Sequence, residues 1–201
     1  MLAGQRTAFF AVAVASMALC SFLEAFAQGA PAVPSNDAVL VDKALVSLGD
    51  TARLQHALAK ARRGEDIVIG AIGGSITAGA RASKPELAWP SLVAQWWRDT
   101  FPKASVKFVN AGIGATGSDI GAHRVRAHLL KESPDVVMVE YAVNDPREPI
   151  AAETLEGLAR QILTRPNKPA VMLLFTMDKQ GGNAQQFHEV VGRHYGLPMA
   201  S

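Results

Sequence analysis

Short apolar runs alternate with amphipathic stretches along most of the chain. Asp66-Ile67-Val68-Ile69-Gly70-Ala71-Ile72 is short, apolar and β-branched, with Gly64 just before it. It predicts a buried strand over 66–72. Val106-Lys107-Phe108-Val109-Asn110, the run 135–141 and the run 170–176 predict three more. The run 135–141 is apolar on both faces until its last residues, as a central parallel strand should be.

Helical spacing fills the gaps. Leu54, Ala57, Leu58 and Ala61 predict a helix over 51–63, with Asp50 as N-cap and Gly64 as its stop. Trp89, Leu92, Val93, Trp96 and Trp97 predict a second over 89–101, ended by Pro102. The adjacent tryptophans could line a substrate surface, but a stripe at this spacing fits a core better. A third helix starts at Ser118 or Asp119 and runs to about 131. A fourth covers 151–163 through Leu155, Leu158, Ala159 and Ile162. A fifth opens at Gly181-Gly182-Asn183, runs through His194 and ends at Gly196. Leu197-Pro198-Met199-Ala200-Ser201 has the character of a strand beginning. The apolar stretch 39–48 has no clear period.

Strands alternating with helices imply a parallel sheet covered on both faces, a three-layer α/β fold. Right-handed crossovers make it doubly wound. The strand ends after 72, 110 and 141 then converge on one edge, where open α/β sheets bind ligands.

The chain has 201 residues, 49% of them hydrophobic and 19% charged. That describes a globular domain with a real core. A net charge of +2 is too small to imply a nucleic-acid or anionic-membrane partner. The first 27 residues have the form of a leader: Arg6, an apolar run of about 16 residues from Ala8 to Leu23, then Ala25-Phe26-Ala27 before Gln28. Such a run is shorter than the roughly 20 residues a spanning helix needs. Cleavage after Ala27 and a secreted or periplasmic protein are expected, with no membrane attachment afterwards. Residues 28–49 read as a linker and N-terminal extension, and 50–201 as the domain. Cys20 is the only cysteine and lies in the leader, so the mature chain has no thiol chemistry. No metal-ligand spacing and no cofactor requirement are visible.

The chemistry centres on Gly73-Gly74-Ser75-Ile76-Thr77. Two glycines permit a sharp turn and set Ser75 at the carboxyl end of a strand. It is there either a nucleophile or, with Thr77, a helix cap. The next two strand ends carry Asn110-Ala111-Gly112-Ile113-Gly114-Ala115 and Ala142-Val143-Asn144-Asp145. Backbone N–H groups of Gly114 and Ala115 and the Asn144 amide can be aimed at one developing negative oxygen. Glu140, near the end of a buried strand, needs a partner or a proton.

These three segments resemble the first three sequence blocks of the SGNH/GDSL serine hydrolases, in the same order, over about 50–177. The resemblance implies a flavodoxin-like sheet of order 2-1-3-4-5, here with its fifth strand incomplete. It implies acyl-ester hydrolysis with Ser75 as nucleophile and Gly114 or Ala115 together with Asn144 as oxyanion donors. Gly74 and Asp145 are supporting residues, Asp145 as a structural hydrogen-bonding group. The substrate it implies is an acyl or acetyl ester, small or on a saccharide. There are departures. Ala142 stands where the family has glycine. No Asp-x-x-His, the family's source of the base, occurs anywhere. His56, His123, His128, His188 and His194 are expected to be surface or helix-end residues, so the base is expected beyond residue 201. The strand at 170–176 is then expected to stand open on one side.

A competing pattern is Gly112-x-Gly114-x-x-Gly117, a dinucleotide fingerprint between a strand and a helix, with Glu140 near the end of the next strand. It leaves Ser75 and Asn144 unexplained, and a nicotinamide cofactor is uncommon in an exported protein. No Gly-x-Ser-x-Gly elbow is present, because Thr77 fills the last position, and no phosphate-loop lysine lies near 70–77.

Overall fold

The computed structural model describes residues 43–201. The expected leader over 1–27 and residues 28–42 of the expected linker lie outside them. The strands are β1 (Leu45–Ser47), β2 (Ile67–Gly73), β3 (Val106–Gly112), β4 (Val136–Glu140), β5 (Ala170–Leu174) and β6 (Met199–Ala200). The helices are α1 (Ala52–Arg62), α2 (Ser75–Ala78), α3 (Trp89–Thr100), α4 (Ser118–His128), α5 (Ile150–Leu163) and α6 (Gln185–His194). Two short 3-10 turns lie at Pro85–Leu87 and Leu130–Glu132.

The sheet runs β1-β6-β5-β4-β2-β3. From β2 onward its strands are parallel and keep the order 2-1-3-4-5, with β6 in the fifth place. β1 is the departure. It pairs antiparallel with β6, Leu45 opposite Ala200 and Ser47 opposite Met199. The sheet is therefore mixed and reaches back past the boundary expected at residue 50. β6 pairs with β5 and β1 closes the edge beyond, so the strand at 170–176 does not stand open.

β4 is buried along its whole length, as its unbroken apolar run requires. β3 lies at the sheet edge and exposes Lys107 and Asn110 among partly buried residues. α1 and α3 cover one face through Ala57, Ala61, Trp97 and Phe101. α4, α5 and α6 cover the other through Val125, Leu129, Leu158, Ile162 and Val191. Each large apolar side chain buried there contributes about 1.5–3 kcal/mol relative to exposure. Trp97 belongs to this core at 3% exposure, whereas Trp96 is 43% exposed and meets Trp97 edge-on.

Helix α1 ends where Gly64 takes a φ of +78, which a residue with a Cβ adopts only with strain. The Asp135 carboxylate then accepts hydrogen bonds from Lys60 Nζ at 2.8 Å and Val68 N at 2.9 Å. These bonds align the starts of β2 and β4, so both strands exit at the opposite edge.

Candidate active site

Register brings the three loops together. Gly73 is paired with Gly112 on one side and Glu140 on the other. The segments after β2, β3 and β4 therefore leave the sheet side by side. α2 crosses directly over the end of β3, so closely that a Cβ at Gly112 would lie 2.3 Å from Ala78 N. Asn110 ties the same joint. Its Nδ2 donates to Thr77 O and its Oδ1 accepts from Gly112 N, each at 2.8 Å.

Ser75 is the first residue of α2. Its N–H therefore has no acceptor within the helix, a donor the sequence reading passed over. The side chain of Asn144 lies against Gly74: a Cβ there would fall 2.2 Å from Asn144 Oδ1. Gly114 lies beside the nucleophile candidate, since its own Cβ would stand 3.8 Å from Ser75 Cβ. Ser75, Gly114 and Asn144 thus occupy one site, supported by Gly74. Ala115 follows with a φ of +57, a left-handed conformation that costs an L-residue about 1–2 kcal/mol. The amides of Gly114 and Ala115 donate to no backbone carbonyl among the described residues. Asn144 Oδ1 is buried without a partner. A buried acceptor left without a donor at a convergence of loops calls for a ligand or a functional role.

Asp145 is buried and holds two neighbours. Its Oδ1 accepts from Ser118 N at 2.7 Å, and its Oδ2 is bonded to His188 Nε2 at 2.9 Å. Here one expectation fails: His188 is neither a surface nor a helix-end residue but is 1% exposed. It shares the inward face of α6 with Val191 and Gly192, and that spacing was the available signal. The pair joins α4, the loop after β4 and α6. Glu140 also finds its partners. Thr77 Oγ1 donates to it at 3.4 Å, Thr176 Oγ1 donates to its other oxygen, and the Val143 amide adds a third bond. Burial nevertheless pushes the Glu140 carboxyl above its ordinary value of 4.5. The methyl of Ala142 is absorbed into the core, and its carbonyl accepts from Ala184 N at 2.7 Å.

His56, His123, His128 and His194 are exposed. No hydrogen bond joins any histidine to Ser75 among the described residues. No cluster of three metal-ligating side chains occurs among them either.

In the glycine fingerprint, Gly112 and Gly117 have close protein neighbours instead of space for a pyrophosphate. Gly112 admits α2. A Cβ on Gly117 would lie 2.7 Å from Asp145 Oδ1, and that carboxylate already takes the first amide of α4. A negatively charged side chain where the phosphate would sit argues against the dinucleotide reading.

The profile of the GDSL-like lipase/acylhydrolase family matches residues 71–195. Among solved structures, a two-domain esterase (CEX) active on acetylated mannans is 41% identical, with a TM-score of 0.78. The match covers 80% of this chain but 44% of that one, so this chain spans less than half the length of that relative. The same esterase co-crystallised with mannopentaose matches at 41% identity and a TM-score of 0.78, over 80% of this chain and 45% of that one. AlinE4, an SGNH-hydrolase family esterase, shares the fold at 20% identity and a TM-score of 0.53, over 67% of this chain and 75% of its own. No curated protein matches the chain.

Proposed function

The chain belongs to the GDSL-like lipase/acylhydrolase family, and on that footing we propose that it is an exported serine esterase acting on acyl or acetyl esters carried by a carbohydrate. The observation that carries this reading is the Asn144 side chain packed on Gly74, beside Ser75 and Gly114. In the reaction, Ser75 Oγ attacks the ester carbonyl and its proton passes to a base. The negative oxygen of the tetrahedral intermediate is held by the amides of Ser75 and of Gly114 or Ala115, and by Asn144. Collapse expels the alcohol, and water then releases the acid from the acyl-enzyme. One such donor contributes about 10²–10³ in kcat.

The base comes from sequence outside these 201 residues. That reading is supported by the lack, among the described residues, of a histidine bonded to Ser75 and by the 44% coverage of the mannan esterase. A serine hydroxyl is a weak nucleophile without such a base. The carbohydrate part is supported by the activity of that relative on acetylated mannans. Export is supported by Arg6, the apolar run and Ala25-Phe26-Ala27.

The experiment compares the protein carrying its base with the 201-residue chain. The former should label at Ser75 with a fluorophosphonate and release acetate from acetylated mannan. The latter should be nearly inactive. Labelling that persists in Ser75→Ala refutes the nucleophile. Turnover of p-nitrophenyl acetate at several per second by the shorter chain, dependent on Ser75, refutes the placement of the base.

A further inference from the structure

Arg124 is a charged side chain that this reaction leaves unused. It projects from α4 and is only 8% exposed. Its Nη1 donates to Ala111 O, and its Nη2 donates to Gly73 O at 3.1 Å and to the Tyr141 hydroxyl at 2.7 Å. None of these partners is charged, and Nε is buried with no partner at all. Holding a cation in such surroundings is costly, so filling space is a poor account of it.

The positions of the three acceptors give a better one. Gly73 ends β2, two residues before Ser75. Ala111 lies at the end of β3, three residues before Gly114. Tyr141 follows β4 directly, three residues before Asn144. One guanidinium therefore bonds the exit of each strand whose loop carries a site residue. The acceptor residues pass the constraint on. Gly73 O also accepts from Ile113 N at 3.0 Å, and Tyr141 O accepts from Asn144 N at 2.9 Å. The planar fork of arginine suits such a joint, because its donors diverge in fixed directions.

We propose that Arg124 is a positioning residue that sets the spacing of Ser75, the Gly114–Ala115 amides and Asn144, and so shapes the oxyanion site. The inference rests on the esterase reading for its chemical consequence. A misplacement of about 1 Å at a reacting centre can cost roughly 10²-fold.

The test uses the 201-residue chain and methylboronic acid, which needs no enzymic base at equilibrium. Boron gains a bond to Ser75 Oγ, the hydroxyl proton passes to buffer, and the tetrahedral anion imitates the oxyanion intermediate. Boron NMR reads the adduct and titration gives its Kd. The parent should form it and Ser75→Ala should not. Arg124→Met should weaken it about tenfold or more, Arg124→Lys less, and Tyr141→Phe several-fold. Thermal melts check that each variant is folded. A role confined to stability would lower Tm and leave Kd alone. Folded Arg124→Met and Tyr141→Phe proteins that bind as the parent does would overturn the proposal. If Arg124→Met does not fold, Tyr141→Phe decides. A parent that forms no Ser75-dependent adduct removes the esterase reading, and this inference with it. A Ser75-dependent adduct indifferent to both substitutions removes the inference alone.

Discussion

Gly74→Ala separates activity from stability. The added Cβ would lie 2.2 Å from Asn144 Oδ1, 2.7 Å from its Cγ and 2.9 Å from its Nδ2. Carbon does not approach these atoms closer than 3.0 Å, so the amide must move by at least about 0.8 Å. Gly74 has a φ of −83, so the substitution does not place alanine in the left-handed region. The atoms struck are the end of a side chain with rotamer freedom, and the fold can yield to them. Stability should change by less than about 1 kcal/mol. The catalytic cost is different. A displacement near 1 Å is expected to lower kcat about 10²-fold, equivalent to roughly 2.7 kcal/mol of transition-state stabilisation. The assay is p-nitrophenyl acetate hydrolysis by the protein carrying its base, beside urea denaturation of the same variant. Asn144→Ala alone should lower kcat by about 10²–10³. Added to that background, Gly74→Ala should cost little more, because both remove the same donor. Parental kcat in Gly74→Ala, or fully additive losses in the double variant, would show that Asn144 does no work from this position.

Asp145→Ala should destabilise the fold by about 2–4 kcal/mol in urea denaturation, since it removes two buried bonds at once; a loss below about 0.5 kcal/mol would contradict the structural role. Glu140 has a raised folded-state pKa, so its contribution to stability is fully present below the ordinary value of 4.5 and is lost as pH rises through the folded value. Glu140→Gln should therefore flatten the fall in stability above that value, and an unchanged profile from pH 4 to pH 8, on the order of the usual test range, would refute it. N-terminal sequencing of exported protein should find Gln28 first; a mature chain that starts at Met1 or stays in the membrane rejects the leader.

The parallel strands were legible because burial on both faces leaves an unbroken apolar run, as over Val136–Glu140. The candidate site could be proposed from sequence because Ser75, Gly114 and Asn144 follow such runs, where topology brings their loops side by side. β1 was not, because three residues of modest period become a strand only when Met199–Ala200 offers an edge to pair with. Arg124 and His188 were hidden for a related reason: charge and polarity suggest the surface, and only the fold supplies the carbonyls and the carboxylate that meet them inside. The glycine fingerprint shows the same limit from the other side. A glycine in sequence records that something approaches the backbone closely, without recording what. At Gly112 it is the backbone of α2, and at Gly117 it is the Asp145 carboxylate. The first is part of the joint that places α2, and with it Ser75, against the end of β3; the second holds the start of α4 against the loop after β4. At Gly112 and Gly117 the spacing that imitates a cofactor loop is therefore accounted for by packing within the protein, and the contact at Gly112 also holds the helix of the candidate nucleophile against β3.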